Sequence, residues 1–239
     1  MKTNWIALPL LLSSIGYAQR LTAPVAAWEA QLNTDPADSK LRGRLIREYF
    51  RMSRTSPSAE AARVGHILWL INYMPEAEIL GEPSSTVSHP GTEYEAVKAA
   101  WSQQIYAHPT PQTLANAANF FRPLEIARSI DLLTNARAIE PSNWLWVTML
   151  GEMYAFQIVG LTDLNQNGLP IRADPAKANT PEVARVKAML LASQDRELLT
   201  VVSNAFKSRA MIAAVISGQQ ASANAFVKQL NQNMPAAQH

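Results

Sequence analysis

Leu150-Gly151-Glu152-Met153-Tyr154 decides how this chain is read, because Ala117 and Phe120 stand 34 residues before Gly151 and Tyr154. A small residue followed one helical turn later by an aromatic, recurring at that step, marks helix pairs stacked into a solenoid. Each unit of such a stack hides its apolar face only against the next. Downstream, Val202-Ser203-x-x-Phe206 repeats the pattern 52 residues after Leu150, which is 34 plus an insertion of 18. Ala188 lies 15 residues before Ser203, as Ala136 lies 15 before Gly151. The insertion therefore belongs between Leu161 and Thr180, and three units span residues 110–207.

Outside those units the chain also reads as helices. Nine glycines against 15 prolines, with 48% hydrophobic residues, is a helix-forming composition in which proline serves as punctuation. Leu41, Leu45, Tyr49 and Met52 recur at helical spacing, as do Val64, Ile67, Leu68 and Ile71. Ser56-Pro57, Thr110-Pro111 and Thr180-Pro181 pair an N-cap with a proline at the first helical position. Thr92-x-x-Glu95 has the form of a capping box, and Gly160 suits a left-handed helix end. Residues 40–107 are helical but fit the 34-residue motif poorly. No strand signal stands apart from helical spacing.

Residues 1–18 read as a secretory signal: Lys2, an apolar run from Trp5 to Ile15, and Gly16-Tyr17-Ala18 as a small-x-small cleavage site. The run is shorter than the roughly 20 residues a spanning helix needs. Residues 19–36 are expected to be a linker with one possible helical turn around Trp28, 37–217 the helical domain, and 218–239 a polar, mobile tail with a weak helix at Phe226, Val227 and Leu230. With no cysteine, disulfides, thiolate metal sites and cysteine nucleophiles are excluded. A net charge of +2 gives no reason to expect nucleic-acid binding, and no later stretch is apolar enough to span a bilayer.

Ala117, Phe120, Ser129, Leu133, Ala136 and Pro141, followed by Leu150, Gly151 and Tyr154, resemble the tetratricopeptide repeat. The resemblance implies an all-α superhelix of antiparallel helix pairs with one long insertion loop. It also implies a concave groove lined from the first helix of each unit. Leu114, Phe121, Arg122, Thr148, Glu152 and Phe156 are the groove candidates. Asn116 departs from the motif, where a large apolar residue is expected, and Ser193 stands in place of the exit proline.

Lys40, Arg44, Arg47, Arg51 and Arg54 are spaced 4, 3, 4, 3 and share one helix face. Such a stripe either grips a partner's carboxylates or phosphates, or is a solvated face pairing with Glu60, Glu76 and Glu78. Asp163, Asn165, Asn167, Gly168 and Asp174 have the spacing of a calcium loop, yet only two of these ligands are charged, and an Asn-Gly turn explains them as well. Trp144 is expected to pack with Val147, Gly151 and Tyr154, and Trp146 with Met149 and Met153. The four histidines lack metal spacing, and no nucleophile elbow or phosphate loop occurs. Glu48, Glu125 and Glu152 are lone acids. The expectation is thus an exported, periplasmic or secreted, non-catalytic scaffold for a protein or peptide partner, without cofactor. A helical cell-envelope hydrolase and a calcium-stabilised module are the alternatives.

Overall fold

The computed structural model describes residues 23–53, 55–87, 90–165 and 167–235, so the signal expected over residues 1–18 lies outside them. The described residues form twelve α-helices and one two-stranded sheet, an essentially all-α fold. The first seven helices are α1 (Ala23–Thr34), α2 (Ser39–Met52), α3 (Pro57–Tyr73), α4 (Thr92–Ala107), α5 (Pro111–Phe121), α6 (Ile126–Ile139) and α7 (Trp144–Ile158). After β1 (Leu161–Leu164) and β2 (Pro170–Ala173) come α8 (Pro175–Ala178), α9 (Pro181–Ala192), α10 (Arg196–Phe206), α11 (Arg209–Ile216) and α12 (Gln220–Gln232). From α1 to α7 each helix packs on the next in sequence, and α10 then packs directly on α7. No single helix among the described residues is long and apolar enough to cross a membrane.

The caps follow the sequence. Ser56, Thr110 and Thr180 accept from the backbone N–H groups of Ala59, Thr113 and Val183. The expected capping box does not form: Thr92 is already inside α4, whose cap residue is Gly91. The helix stops are more regular than the sequence suggested. Met74, His108 and Glu140 end α3, α4 and α6 with nearly the same backbone (φ −145°, −142° and −125°; ψ 61°, 70° and 72°). Each donates its N–H to the carbonyl four residues back, and each precedes a proline: Pro75, Pro109 and Pro141. A residue before proline is barred from the helical region, so the helix stops there. Counting back from these prolines, Ile67, Trp101 and Leu133 occupy one frame position, and Arg63, Val97 and Ser129 another, all buried.

Between α3 and α4 the chain makes only two 3₁₀ turns, Glu78–Gly81 and Pro83–Ser85. That segment lies against both α2 and α5. Arg63 ties it to α3 by donating to the carbonyls of Ser84 and Thr86. Asn116, the departure from the apolar motif, holds it to α5: its Nδ2 donates to the carbonyls of Pro75 and Ala77 at 2.9 and 3.2 Å. The polar side chain serves there because the Pro75 carbonyl has no backbone donor among the described residues, while the Ala77 carbonyl, which already accepts from the Leu80 N–H, takes a second bond.

Where the aromatic and small residues of the motif meet, packing is tight. Phe120, Tyr154 and Phe206 are buried, and Ser129 Oγ donates to the Ala118 carbonyl across the α5–α6 crossing. A Cβ on Gly151 would fall 2.5 Å from Val201 Cγ2 and 3.0 Å from Val202 N, so only glycine lets α7 and α10 approach this closely. Ala188, by contrast, is exposed on α9, which is only lightly packed. α9, expected as the second helix of the second unit, does not repeat the earlier crossing.

Other expectations are corrected. The linker is α1, whose Val25 and Leu32 are buried with Leu41, Leu45 and Tyr49 in a separate N-terminal core. The tail contains α12, seated by buried Ala223, Phe226 and Leu230 and by Ser203 Oγ donating to Asn231. The insertion is a β-hairpin with Leu161 opposite Ala173 and Leu164 opposite Pro170. Trp144 is 68% exposed, because the first turn of α7 projects past α6, whereas Trp146 is buried and donates to Glu140.

Gly151→Ala is expected to destabilise by about 1–2 kcal/mol, overpacking outweighing the gain in helix propensity. Gly65→Ala, where nothing lies within 4 Å, is expected to stabilise by about 0.5–1 kcal/mol. Urea denaturation of the pair checks both signs.

Candidate functional site

α5 ends in Phe121, and Arg122 follows as its cap residue, donating its N–H to Ala118. The residue is 9% exposed, and among the described residues its guanidinium makes one hydrogen bond, a long 3.4 Å contact from Nη1 to Asn119 Oδ1. Burial pushes its pKa down to about 10, against the opposing pull of the Glu152 carboxylate. Glu152 lies midway along α7 and accepts from Arg209 Nη2 at the start of α11. Asp163 of β1 adds a second negative charge near Arg122. The hairpin tip lies against the same group, the open side of Gly168 (φ +71°) facing Arg209 Nη1. The insertion thus folds back to complete a four-charge cluster with α5, α7 and α11.

Of the groove candidates, Arg122 and Glu152 come together here and Thr148, one turn from Glu152, is half-buried. Leu114, Phe121 and Phe156 are not available to a partner. They are sealed in the core, Phe121 between the Phe120 ring edge and the Arg128 guanidinium 3.9 Å away. Large apolar residues at these positions hold neighbouring helices together instead of lining a surface.

The α2 stripe is solvent-facing, with Arg54 outside the described residues. Arg47 grips Glu82 with both Nε and Nη2, and Arg51 pairs with Glu48. Arg44 has no acceptor among the described residues. The acids anticipated as its partners are engaged elsewhere: Glu60 pairs with Arg63, and Glu76 accepts from Thr110.

The calcium spacing resolves into a turn and a cap. Asp163 Oδ1 accepts from the Leu164 N–H, Asn165 Oδ1 from Asn167 and Leu169, and Asp174 Oδ1 from Ala176 at the start of α8. Their oxygens are aimed at local backbone instead of converging, and β2 separates Asp174 from the turn. No cluster of three or more metal-binding side chains occurs among the described residues.

The lone acids have partners. Glu125 accepts from Tyr94 Oη at 2.7 Å and from Lys98 Nζ, with Arg128 beyond. A parallel group went unread in sequence: Glu29 of α1 accepts from Tyr49 Oη at 2.6 Å and faces His66 Nε2 at 3.0 Å. Arg42 Nη1 reaches His66 Nδ1 at 3.2 Å while its Nε and Nη2 donate to the Pro36 carbonyl and its plane covers Trp69 at 3.8 Å. A guanidinium only donates, so Nδ1 is the acceptor and Nε2–H points to Glu29. Arg209, Asn119 and Glu29 gave no sequence signal, because each meets its partner across helices with no fixed spacing.

Glu29 and Glu125 are both held below the ordinary carboxylate value: burial opposes this, and hydrogen bonds from His66 and Tyr49, or Lys98 and Tyr94, prevail. A depressed folded pKa stabilises above the unfolded value of 4.5 and is lost as pH falls through the folded one. The urea midpoint should therefore fall below that pH, and Glu125→Gln should flatten the acid limb. Millimolar calcium should leave Tm unchanged, whereas Asn165→Ala, which frees two backbone donors, should cost about 1–2 kcal/mol by thermal denaturation. No family model, curated protein or solved structure matches the chain.

Proposed function

We propose that this chain is an exported, tetratricopeptide-like helical scaffold that holds a protein or peptide on the inner face of a short solenoid, without catalysis. The observation that carries the reading is the recurrence of one helix stop, at Met74, His108 and Glu140, at steps of 34 and 32 residues. On this reading α3, α4 and α6 form the outer layer. The inner layer is α2, the 3₁₀ segment 78–85, α5, α7 and α10. Two of its seams run through glycine: Gly43 beside Ile79, and Gly151 beside Val201. Export rests on the residue pattern of 1–18.

The inner layer would present Arg44 and Arg47 at one end and the Arg122–Glu152–Arg209 cluster at the other. Binding would work by side-chain complementarity across this line. The hydrolase alternative draws no support from Glu48, Glu125 or Glu152, each of which is neutralised by a basic neighbour. A general acid needs its proton held near neutral pH, and Glu125 is shifted the opposite way.

The test is capture of a partner from a cell-envelope extract on the immobilised protein, followed by titration with that purified partner. Glu152→Arg and Arg47→Glu should each weaken it about tenfold or more, the loss typical of a buried or bidentate charge pair. Tyr106→Ala, at a 92% exposed site on α4, should leave affinity unchanged. Equal retention by all three variants would contradict the inner-face assignment.

A further inference from the structure

We propose that Arg122 is the binding element of a carboxylate site, its Nε and Nη2 edge receiving both oxygens of the ligand. Arg122 is nine-tenths buried, yet its one hydrogen bond is the long contact from Nη1 to Asn119. Nε and Nη2 have no acceptor among the described residues. These two nitrogens form the edge of a guanidinium whose N–H bonds lie parallel and match a carboxylate bidentately. Neither is sealed in: the enclosed unpartnered side-chain atoms among the described residues are Gln157 Oε1 and Thr162 Oγ1. The edge is therefore unsatisfied without being fully enclosed.

The surroundings explain why the edge stays open. The nearest carboxylate that could close it, Glu152, is engaged by Arg209. Asn119, the one side chain touching the guanidinium, turns its Nδ2 back to the Ala115 carbonyl. Leaving a buried cation this poorly partnered is costly, and an incoming anion would remove that cost. The charges nearby also select the ligand. Arg122 and Arg209 are balanced by Glu152 and Asp163, so the site is close to neutral before binding. A singly charged carboxylate is accommodated there, whereas a phosphate dianion meets two fixed carboxylates.

The proposal rests on the scaffold reading in one respect, that a peptide delivers the carboxylate, and the experiment separates the two. Tm is measured in sodium acetate and in sodium chloride at equal ionic strength. Wild type is expected to be stabilised by acetate over chloride, and phosphate at the same ionic strength should stabilise less than acetate. Arg122→Gln should abolish the acetate effect. Arg122→Lys, which keeps the charge and loses the fork, should weaken acetate binding by about tenfold. Glu152→Gln, made together with Arg209→Gln so that no second guanidinium is freed, removes the nearby carboxylate and should strengthen it, which keeps the test decisive if Arg122→Gln fails to fold. An amidated peptide bearing one Asp, compared with an Asp-free peptide with a free C-terminus, identifies whether side chain or chain end supplies the group. Equal response to acetate and chloride, an acetate effect surviving in Arg122→Gln, or none gained in the double variant Glu152→Gln, Arg209→Gln overturns the site. An acetate response with neither peptide bound overturns the peptide scaffold and leaves the site standing.

Discussion

Much of the molecule depends on the absence of one Cβ. At Gly151 the backbones of α7 and α10 come so close that an added carbon would overlap Val201 and press on the Val202 amide. α10 reaches α7 directly, and the intervening hairpin, α8 and α9 pack around that contact. That packing carries the hairpin tip to Arg209 and Asp163 to the neighbourhood of Arg122. A packing constraint between two helices thus sets where the charged cluster forms. α12 is then seated on α10 through Phe206 and Phe226, whose rings lie 5.8 Å apart.

Toward the N-terminus the seams are held differently. Two tyrosine hydroxyls, Tyr49 and Tyr94, each donate to a glutamate on another helix, Glu29 and Glu125. In each case a cation and an aromatic ring complete the group: Arg42 over Trp69 and Lys98 beside Tyr94. Hydrogen bonds to charged acceptors contribute about 1.5–3 kcal/mol each and penalise wrong alignments more than they reward the right one. These groups therefore set the register of α1, α2 and α3, and of α4 and α6, where no glycine contact does so.

Several features were legible because they are local. Helix starts at Ser56, Thr110 and Thr180, the αL stop at Gly160 and the apolar frame of α5 to α7 need only neighbouring residues to be read. The hairpin was not, since Leu161–Leu164 and Pro170–Ala173 are only four residues each and alternate too little for the Asn-Gly pair to be read as a hairpin turn. α1 was missed because its alanines dilute the Val25–Leu32 spacing, and its burial depends on α2 supplying a second surface. Phe121 and Phe156 were assigned to a groove because family position cannot tell an inward from an outward rotation of the helix. Arg122 and Glu152 were expected only as groove residues, and Arg209, which decides how Glu152 is used, lies 57 residues from it in sequence. Over residues 78–85 no regular helix could be read, as a pair of 3₁₀ turns leaves no helical period to find.

The central claim is that this irregular segment occupies a helix's place in the inner layer, between α2 and α5. The chain has no cysteine, which makes cross-linking unambiguous. A Cβ on Gly43 would lie 3.5 Å from the Ile79 Cβ, within the range a disulfide spans. In the double variant Gly43→Cys, Ile79→Cys, mild oxidation is predicted to consume both thiols intramolecularly while the helical circular dichroism is retained. Free thiols persisting under oxidation, in a protein that remains folded, would contradict the layer order on which the account rests.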